Sequence, residues 1–262
     1  MYVCAGINPR RIRSTRTGVF IGTFKLESEI WDPLEAVKPK RSEDVDAPYA
    51  STLANAISHA FDLRGPSLVL DTACSASMTA LSLAVDSIRT GQCDAALVGS
   101  ITVNPSAKAF ASFCRMNMLS PDGTSRVLDE SANGYVRCES AIMIYVGKRK
   151  DSRRMYASII HGKLNCDGYK QEGITVPSSE AQKSLMLETY QEAGLSPDDV
   201  VYMEAHLTGT QVGDPNEMKG IMEVFCESGK RKQPLLVGSV KSNMGHGEGA
   251  AGTLLNVPSI LS

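Results

Sequence analysis

The sequence lacks an apolar run long enough to cross a membrane. Its longest unbroken apolar stretches, such as Ala141–Val146, fall far short of the ~20 residues that a transmembrane helix needs. The N-terminus also lacks the order of a secretory signal, because three arginines follow the mildly apolar residues 1–7 instead of preceding them. We therefore expect a soluble, cytoplasmic protein.

An excess of charge of either sign is missing as well. Among 262 residues, 27 are Lys or Arg and 29 are Asp or Glu, which leaves a net charge of −2. This balance argues against a general nucleic-acid binder, since such a protein carries a basic face. The hydrophobic share of 42% and the charged share of 21% are those of a globular chain and exclude a disordered one.

The cysteines do not form a recognisable framework. There are seven of them, and no two are separated by only two residues. An odd number without such pairs fits neither a zinc ribbon nor a set of disulfides. We expect most of them to be small buried apolar residues, and ask whether one is a nucleophile.

Hydrophobic patterning predicts an α/β protein. Strands are expected at 18–22, 67–70, 95–99, 141–146, 156–161, 200–203 and 235–240. Helices are expected at 49–61, 78–88, 179–193, 216–225 and 249–256. The charged stretch 25–48 contains prolines and is predicted to be mainly loop.

Cys74 lies between a predicted buried strand and the start of a predicted helix. The free backbone N–H groups and the positive dipole end of a helix N-terminus favour an anion, so a thiolate is stabilised there. The neighbouring residues are small and allow a tight turn: Ala73, Ser75, Ala76 and Ser77. Cys74 is thus a candidate nucleophile, and a buried structural cysteine is the alternative.

Two of the four histidines, His206 and His246, follow predicted strands and lie among small, turn-forming residues. Loops beyond the carboxyl ends of strands line the ligand crevice of open α/β sheets. One thiol and two imidazoles on such loops would make an acyl-transfer site. The alternative for each histidine is a loop residue held by ordinary hydrogen bonds.

Charged residues accompany both histidines. Lys241 lies five residues before His246, and its ammonium group would bias the protonation of nearby imidazoles. Asp214 and Glu217 either pair with Lys241 or cap the following helix. Capping is the simpler interpretation for Asp214.

Gly247, Gly249 and Gly252 match the spacing of a dinucleotide-binding loop. A long loop separates these glycines from the preceding predicted strand. The acidic residue that the motif requires about 20 positions further on would lie past residue 262. The dinucleotide site therefore remains a weak alternative.

Three ordered motifs resemble those of the β-ketoacyl synthase family. Residues 65–67 with 71–77 resemble its nucleophile motif, 204–210 resemble its first histidine motif, and 241–246 resemble its second. The likeness extends from about residue 18 to residue 252. It is strongest to the ketosynthase domain of animal type I fatty acid synthase, followed by modular polyketide synthases.

The resemblance implies a thiolase-like fold, layered α/β/α/β/α, in a homodimer. We expect residues 1–262 to form a ketosynthase domain fragment, truncated at both ends. Residues 1–150 would form mostly the N-terminal half with the nucleophile. Residues 151–262 would form an incomplete C-terminal half with both histidine motifs.

The resemblance also implies a decarboxylative Claisen condensation. By this analogy Cys74 accepts an acyl chain as a thioester, and His206 and His246 stabilise the enolate formed as malonyl loses CO2. Lys241 and Glu217 match the supporting charged pair of the family. The threonines Thr208 and Thr210 match positions that contact the phosphopantetheine arm of an acyl carrier protein. No metal or directly bound cofactor is implied.

Several residues depart from the family pattern. Leu207 stands in place of a glycine directly after the first catalytic histidine, and a β-carbon is unfavourable there if φ is positive. Asn117, Cys138 and Ser140 also replace family glycines, and Pro258 is predicted to end the last helix. These departures leave an inactive family member with a structural or dimerisation role as an alternative.

Overall fold

The computed structural model describes residues 6–24, 50–104 and 107–253. The chain divides into two compact units. Unit 1 contains Met1–Ser112, Glu139–Met155 and Gly247–Thr253, and unit 2 contains Phe113–Cys138, Tyr156–His246 and Leu254–Ser262. The loop predicted at 25–48 lies outside the described residues.

Unit 1 is built on a four-stranded sheet. Its strands are β1 (Thr17–Thr23), β2 (Ser67–Asp71), β3 (Ala95–Thr102) and β4 (Ser140–Gly147), in the order β2-β1-β3-β4. The first three are mutually parallel along this order, and β4 is antiparallel to β3. All four strands were predicted, because each is a short β-branched or apolar run bounded by turn residues.

Helices cover both faces of this sheet. Phe20 on one side of β1 packs into a core with α2 (Ala76–Arg89). Val19 and Ile21, on its other side, pack into a core with α1 (Ser51–Phe61). Burial on both faces explains why β1 is apolar at successive positions instead of alternating with polar ones.

Gly22 allows α2 to start against the sheet. A β-carbon built on Gly22 would lie 2.6 Å from the carbonyl carbon of Ala76 and from the amide nitrogen of Ser77. Such a distance is far inside van der Waals contact, so only a glycine fits here. The helix start that follows Cys74 is therefore anchored directly on β1.

Unit 2 contains the parallel pair β5 (Tyr202–Glu204) and β6 (Leu236–Gly238). Its helices include α4 (Ser179–Ala193), α5 (Gly213–Phe225) and the short α6 (Lys241–Met244). The predicted bounds of α4 are confirmed, since Ser178 caps its start and Gly194 is left-handed at its end. The helix α3 (Ala107–Arg115), which runs from a segment of unit 1 into a segment of unit 2, was not predicted.

The core of unit 2 forms where α4 and α5 meet the strand ends. The Tyr190 and Phe225 rings pack edge to face with centroids 5.2 Å apart. Leu207, Ile221 and Phe225 are at most 2% exposed and belong to this core. The residue after His206 is therefore anchored by hydrophobic packing.

The predicted strand at 156–161 is wrong. This segment belongs to neither sheet of the described residues. Ile159 and Ile160 are 41% and 56% exposed, and consecutive side chains of an extended chain point to opposite sides. Neither side is sheltered, so the apolar residues of the segment provide no face for a sheet core.

The last predicted helix is confirmed in its first part. Residues 248–250 form a 3-10 turn that continues as helix to residue 253, whereas residues 254–256 and Pro258 lie outside the described residues. No helix among residues 6–24, 50–104 and 107–253 is both long and apolar enough to cross a membrane.

Candidate active site

Cys74 of unit 1 lies in a tight turn directly after β2. The turn Ala73–Ser75 is a 3-10 helix that runs into α2. Its entry is bent, because Ala73 has a φ of +53°, in a region that non-glycine residues rarely occupy. The Ala73 amide donates to Asp71 Oδ1 at 3.0 Å, and Ser75 Oγ donates to the Thr72 carbonyl at 2.8 Å.

The placement of Cys74 agrees with what its neighbours in sequence predict. It is partly exposed and occupies the first turn of a helical segment. The peptide dipoles of α2 present their positive end to this turn. The alternative that Cys74 is a fully buried structural cysteine is wrong. Cys93, in contrast, is buried in the core of unit 1.

In unit 2 the two histidines form a pair. The rings of His206 and His246 have centroids 5.2 Å apart and an interplanar angle of 81°. The Tyr135 ring also contacts His246, with ring centroids 4.9 Å apart and an interplanar angle of 77°. The His246 amide donates to the Val136 carbonyl at 2.6 Å, and its carbonyl accepts from the Cys138 amide at 3.0 Å.

The supporting charges bind the backbone at His206. Glu217 on α5 accepts the His206 amide at 2.7 Å and the Leu207 amide at 2.8 Å. Lys241 Nζ donates to the His206 carbonyl at 2.6 Å, and Lys241 is only 1% exposed. A carboxylate thus binds the amide group of His206 and an ammonium group binds its carbonyl group.

The surroundings lower the pKa of both imidazoles and so favour their neutral forms. Burial, the neighbouring His206 and the Lys241 charge lower the pKa of His246 well below its ordinary value. Burial and Lys241 also lower the pKa of His206. His206 is nevertheless an exposed residue, and water around it moderates this shift.

The carboxyl group that holds His206 is also buried. Burial raises the pKa of Glu217, against the opposing effects of the two amide donors and the Lys241 charge. A carboxylate that accepts two backbone N–H groups is stabilised as an anion by these bonds. Glu217 thus balances part of the charge that Lys241 brings into unit 2.

We predict that the free energy of unfolding falls as the pH drops below about 6.5, the ordinary histidine pKa. Below this pH, His246 binds a proton in the unfolded chain but not in the folded chain. The folded chain therefore loses stability as the pH falls. The slope from one such group is at most about 1.4 kcal/mol per pH unit. Urea denaturation between pH 7.5 and 5 measures it.

The His246→Gln variant should flatten this dependence. His59→Gln is the matched control, since His59 is exposed on α1, and it should keep the parental slope. An equal slope in the parent chain and in His246→Gln would contradict the predicted burial of a neutral imidazole.

Leu207 confirms the expected conflict of a side chain with the backbone. Its φ is +25° although it is a leucine, and it is fully buried. Asn117, which also replaces a family glycine, has a φ of +51°. Asparagine tolerates this region, but a branched apolar residue does so only when its surroundings hold it there.

Asp214 has a different role from the predicted helix cap. The N-cap position of α5 is Val212, and buried Asp214 lies in the first turn instead. Its carboxylate accepts the amides of Thr208, Gly209 and Thr210 at 3.0–3.3 Å, and that of Leu128 at 3.2 Å. It therefore organises the loop after His206.

The two threonines predicted to bind substrate lie on this loop. Their hydroxyl groups are 3.3 Å apart. Thr208 is buried, and Thr210 Oγ1 accepts the Gly213 amide at 3.2 Å. The sequence indicated both threonines by motif but not the carboxylate beneath them, because a buried Asp at a helix start looks like a cap.

Two of the three glycines of the dinucleotide-like motif, Gly249 and Gly252, allow close packing in unit 1. A β-carbon on Gly249 would lie 2.7 Å from the Phe24 amide nitrogen, and one on Gly252 would lie 2.2 Å from Met78 Cγ. The space that a pyrophosphate would need beside these glycines is filled by protein. The spacing thus has a structural explanation.

Comparisons with known proteins identify the family. Residues 3–152 match the N-terminal domain of β-ketoacyl synthases, and residues 156–262 match their C-terminal domain. The chain therefore belongs to the β-ketoacyl synthase family of condensing enzymes, and its fold is thiolase-like.

Relatives of two kinds are similar to the chain. It is 40% identical over 260 residues to a fatty acid synthase of Anser anser anser, covering 98% of this chain and 72% of that protein. It is 41% identical over 265 residues to a highly reducing polyketide synthase of Emericella nidulans, covering 98% of this chain and 11% of that protein.

Solved ketosynthases have a similar structure. An oxazolomycin ketosynthase domain of Streptomyces albus JA3453 aligns with a TM-score of 0.91 and 34% identity, over 98% of this chain and 45% of that one. The ketosynthase from module 6 of the Bacillus subtilis bacillaene synthase gives 0.90 and 32%, over 99% and 45%. The chain thus spans less than half the length of these structures.

Proposed function

We propose that this chain carries out the decarboxylative condensation of a β-ketoacyl-acyl-carrier-protein synthase in fatty acid biosynthesis. The observation that carries the proposal is the pair of perpendicular imidazoles of His206 and His246, with ring centroids 5.2 Å apart. The lowered pKa of each ring favours its neutral form. A neutral imidazole has one N–H to donate. Two of them can stabilise one oxyanion without adding a net charge to the enzyme.

In the first half-reaction, the Cys74 thiolate attacks the acyl thioester on a carrier protein. A Cys–acyl bond forms as the bond between the acyl carbon and the carrier sulfur breaks. The carrier leaves as a thiolate and takes up the proton that Cys74 gave up when it ionised. The position of Cys74 in the first helical turn supports this role, since the helix dipole favours the thiolate. Its backbone N–H would supply one donor to the tetrahedral oxyanion.

In the second half-reaction, malonyl on the carrier loses CO2, and the bonding electrons form an enolate of the thioester. His206 and His246 would donate to the enolate oxygen. The enolate carbon then attacks the acyl carbonyl on Cys74, a carbon–carbon bond forms, and the cysteine leaves as thiolate. Loss of CO2 drives the sequence without a metal.

The supporting residues act on the backbone and on the substrate arm. Glu217 and Lys241 would hold His206 in place through the contacts described above. Thr208 and Thr210 would contact the phosphopantetheine arm, a role supported by their common loop directly after His206. The arm belongs to the carrier protein, so no cofactor need bind the chain itself.

A polyketide synthase ketosynthase is the second candidate function. The 41% identity to the Emericella nidulans protein favours it as much as the 40% identity to the goose protein favours the first. The two candidate functions differ in the acyl chain that the cysteine accepts. A synthase that makes a saturated product must extend a saturated chain in each cycle. Faster acylation by saturated than by β-hydroxyacyl thioesters would support the fatty-acid assignment.

The domain organisation and the partners follow from the same family assignment. We propose that 1–150 supply the nucleophile and 151–262 supply both histidines of one ketosynthase domain. Its partner would be an acyl carrier protein, as expected of a chain similar to fatty acid and polyketide synthases. We further propose a cytoplasmic homodimer.

Release of CO2 from malonyl-carrier protein tests the proposal. We expect the purified chain to release labelled CO2, and His206→Gln to lower the rate about 100-fold, since one of two oxyanion donors is lost. His161→Gln is a matched control, because His161 pairs with Glu192 at 2.8 Å and belongs to neither histidine motif. This variant should keep the parental rate. A folded chain without CO2 release would instead support a structural or dimerisation role.

A further inference from the structure

Ser239 follows β6, and its hydroxyl group reaches the backbone at His206. Ser239 Oγ lies 3.1 Å from the Leu207 carbonyl oxygen and 3.3 Å from the His206 carbonyl oxygen. A serine hydroxyl has one proton to donate, so the two carbonyl groups share it. Neither histidine motif assigns a role to this serine.

With Ser239 included, side chains bind every backbone polar group of the His206–Leu207 segment. Glu217 accepts both amides, and Lys241 donates to the His206 carbonyl. Only Ser239 is placed to bind the Leu207 carbonyl among the hydrogen bonds described for residues 6–24, 50–104 and 107–253. Ser239 is thus the side chain that binds the carbonyl group of Leu207.

The geometry at Leu207 gives this contact a particular effect. The angle φ describes rotation about the N–Cα bond, with the His206 carbonyl carbon on one side and the Leu207 carbonyl carbon on the other. At +25° these two carbons lie almost eclipsed, so one donor can reach both oxygens. A leucine is strained at this angle and would rotate away if nothing opposed it.

We propose that Ser239 is a positioning residue for His206. Its hydroxyl group ties together the two carbonyl groups across the strained Leu207 φ bond and so fixes the direction of the His206 imidazole. The inference rests on the proposed function only for its kinetic consequence.

The first test compares three serine variants of the full chain in the malonyl decarboxylation assay. Ser239→Ala should lower kcat about tenfold, as expected for one lost hydrogen bond, and should leave KM within about twofold. Ser239→Thr keeps the hydroxyl group and should restore most of kcat. Ser184→Ala removes a surface hydroxyl that donates to Glu188 on α4 and should change neither constant.

The second test needs no catalysis. With isotope-labelled histidine, the side-chain resonance of His206, assigned by its loss in His206→Gln, should shift in Ser239→Ala and return in Ser239→Thr. If the parent chain releases no CO2, the proposed function fails and this resonance alone decides the positioning role. A Ser239→Ala chain with an unchanged His206 resonance would overturn the inference, as would a folded Ser239→Thr chain that restores neither the resonance nor, in an active parent, kcat.

Discussion

Replacing Cys74 by alanine should lower carbon–carbon bond formation at least about 1,000-fold, because the acyl chain then has no nucleophile to carry it. Transfer of a labelled acyl group from carrier protein to the chain should disappear with it. Release of CO2 from malonyl-carrier protein should persist, since His206 and His246 are unchanged. The two partial reactions are followed separately with acyl and malonyl donors.

An exposed cysteine provides the control for this variant. Cys226→Ala changes a thiol at the end of α5 and should retain both partial reactions. Acyl transfer to Cys74→Ala at the parental rate would refute the assignment of the nucleophile.

Limiting iodoacetamide supplies an independent measurement of the same thiol. Among the residues that the structure describes, three cysteines are exposed, Cys114, Cys166 and Cys226, whereas Cys74 is only partly exposed. Exposure alone would make those three react first. If the helix start activates Cys74, mass spectrometry should instead find it alkylated ahead of them.

The second large effect concerns stability at Leu207. Leu207→Ala should cost about 2–5 kcal/mol of unfolding free energy, as other buried leucines do. Leu207→Gly removes the same side chain but also relieves the positive φ of +25°. We therefore expect the glycine variant to be about 1 kcal/mol more stable than the alanine variant. Urea denaturation measures both.

A position in a regular helix gives the opposite order. Val224 lies in α5 and in the same core, so Val224→Gly should be less stable than Val224→Ala by about 1 kcal/mol. If glycine is the worse replacement at both positions, the backbone strain assigned to Leu207 is wrong.

Much of the fold could be predicted because its signals are local. The apolar runs at β1 and β4, and the spacing of apolar residues in α2, reflect which neighbours along the chain share a buried face. The failed strand at 156–161 shows the limit of such signals. Its residues have strand propensity, but burial depends on what packs against them, and that is not encoded in the segment itself.

The candidate site also has some features that the sequence predicts and others that it does not. Its residue types and their order along the chain, Cys74 before a helix and His206 and His246 after strands, were readable from the sequence. The conflict between the Leu207 side chain and its backbone could also be predicted, since a leucine stands where the family pattern has a glycine. These features depend only on residue identity and on neighbours.

The tertiary structure alone decided how the groups around His206 meet. Residues 40 positions apart form the histidine pair at 5.2 Å, Asp214 turns from a supposed cap into the anchor of a loop, and Ser239 reaches back 32 residues to the Leu207 carbonyl. The physical reason is that hydrogen-bond direction and burial arise from packing between segments distant in sequence. No pattern within one segment contains them.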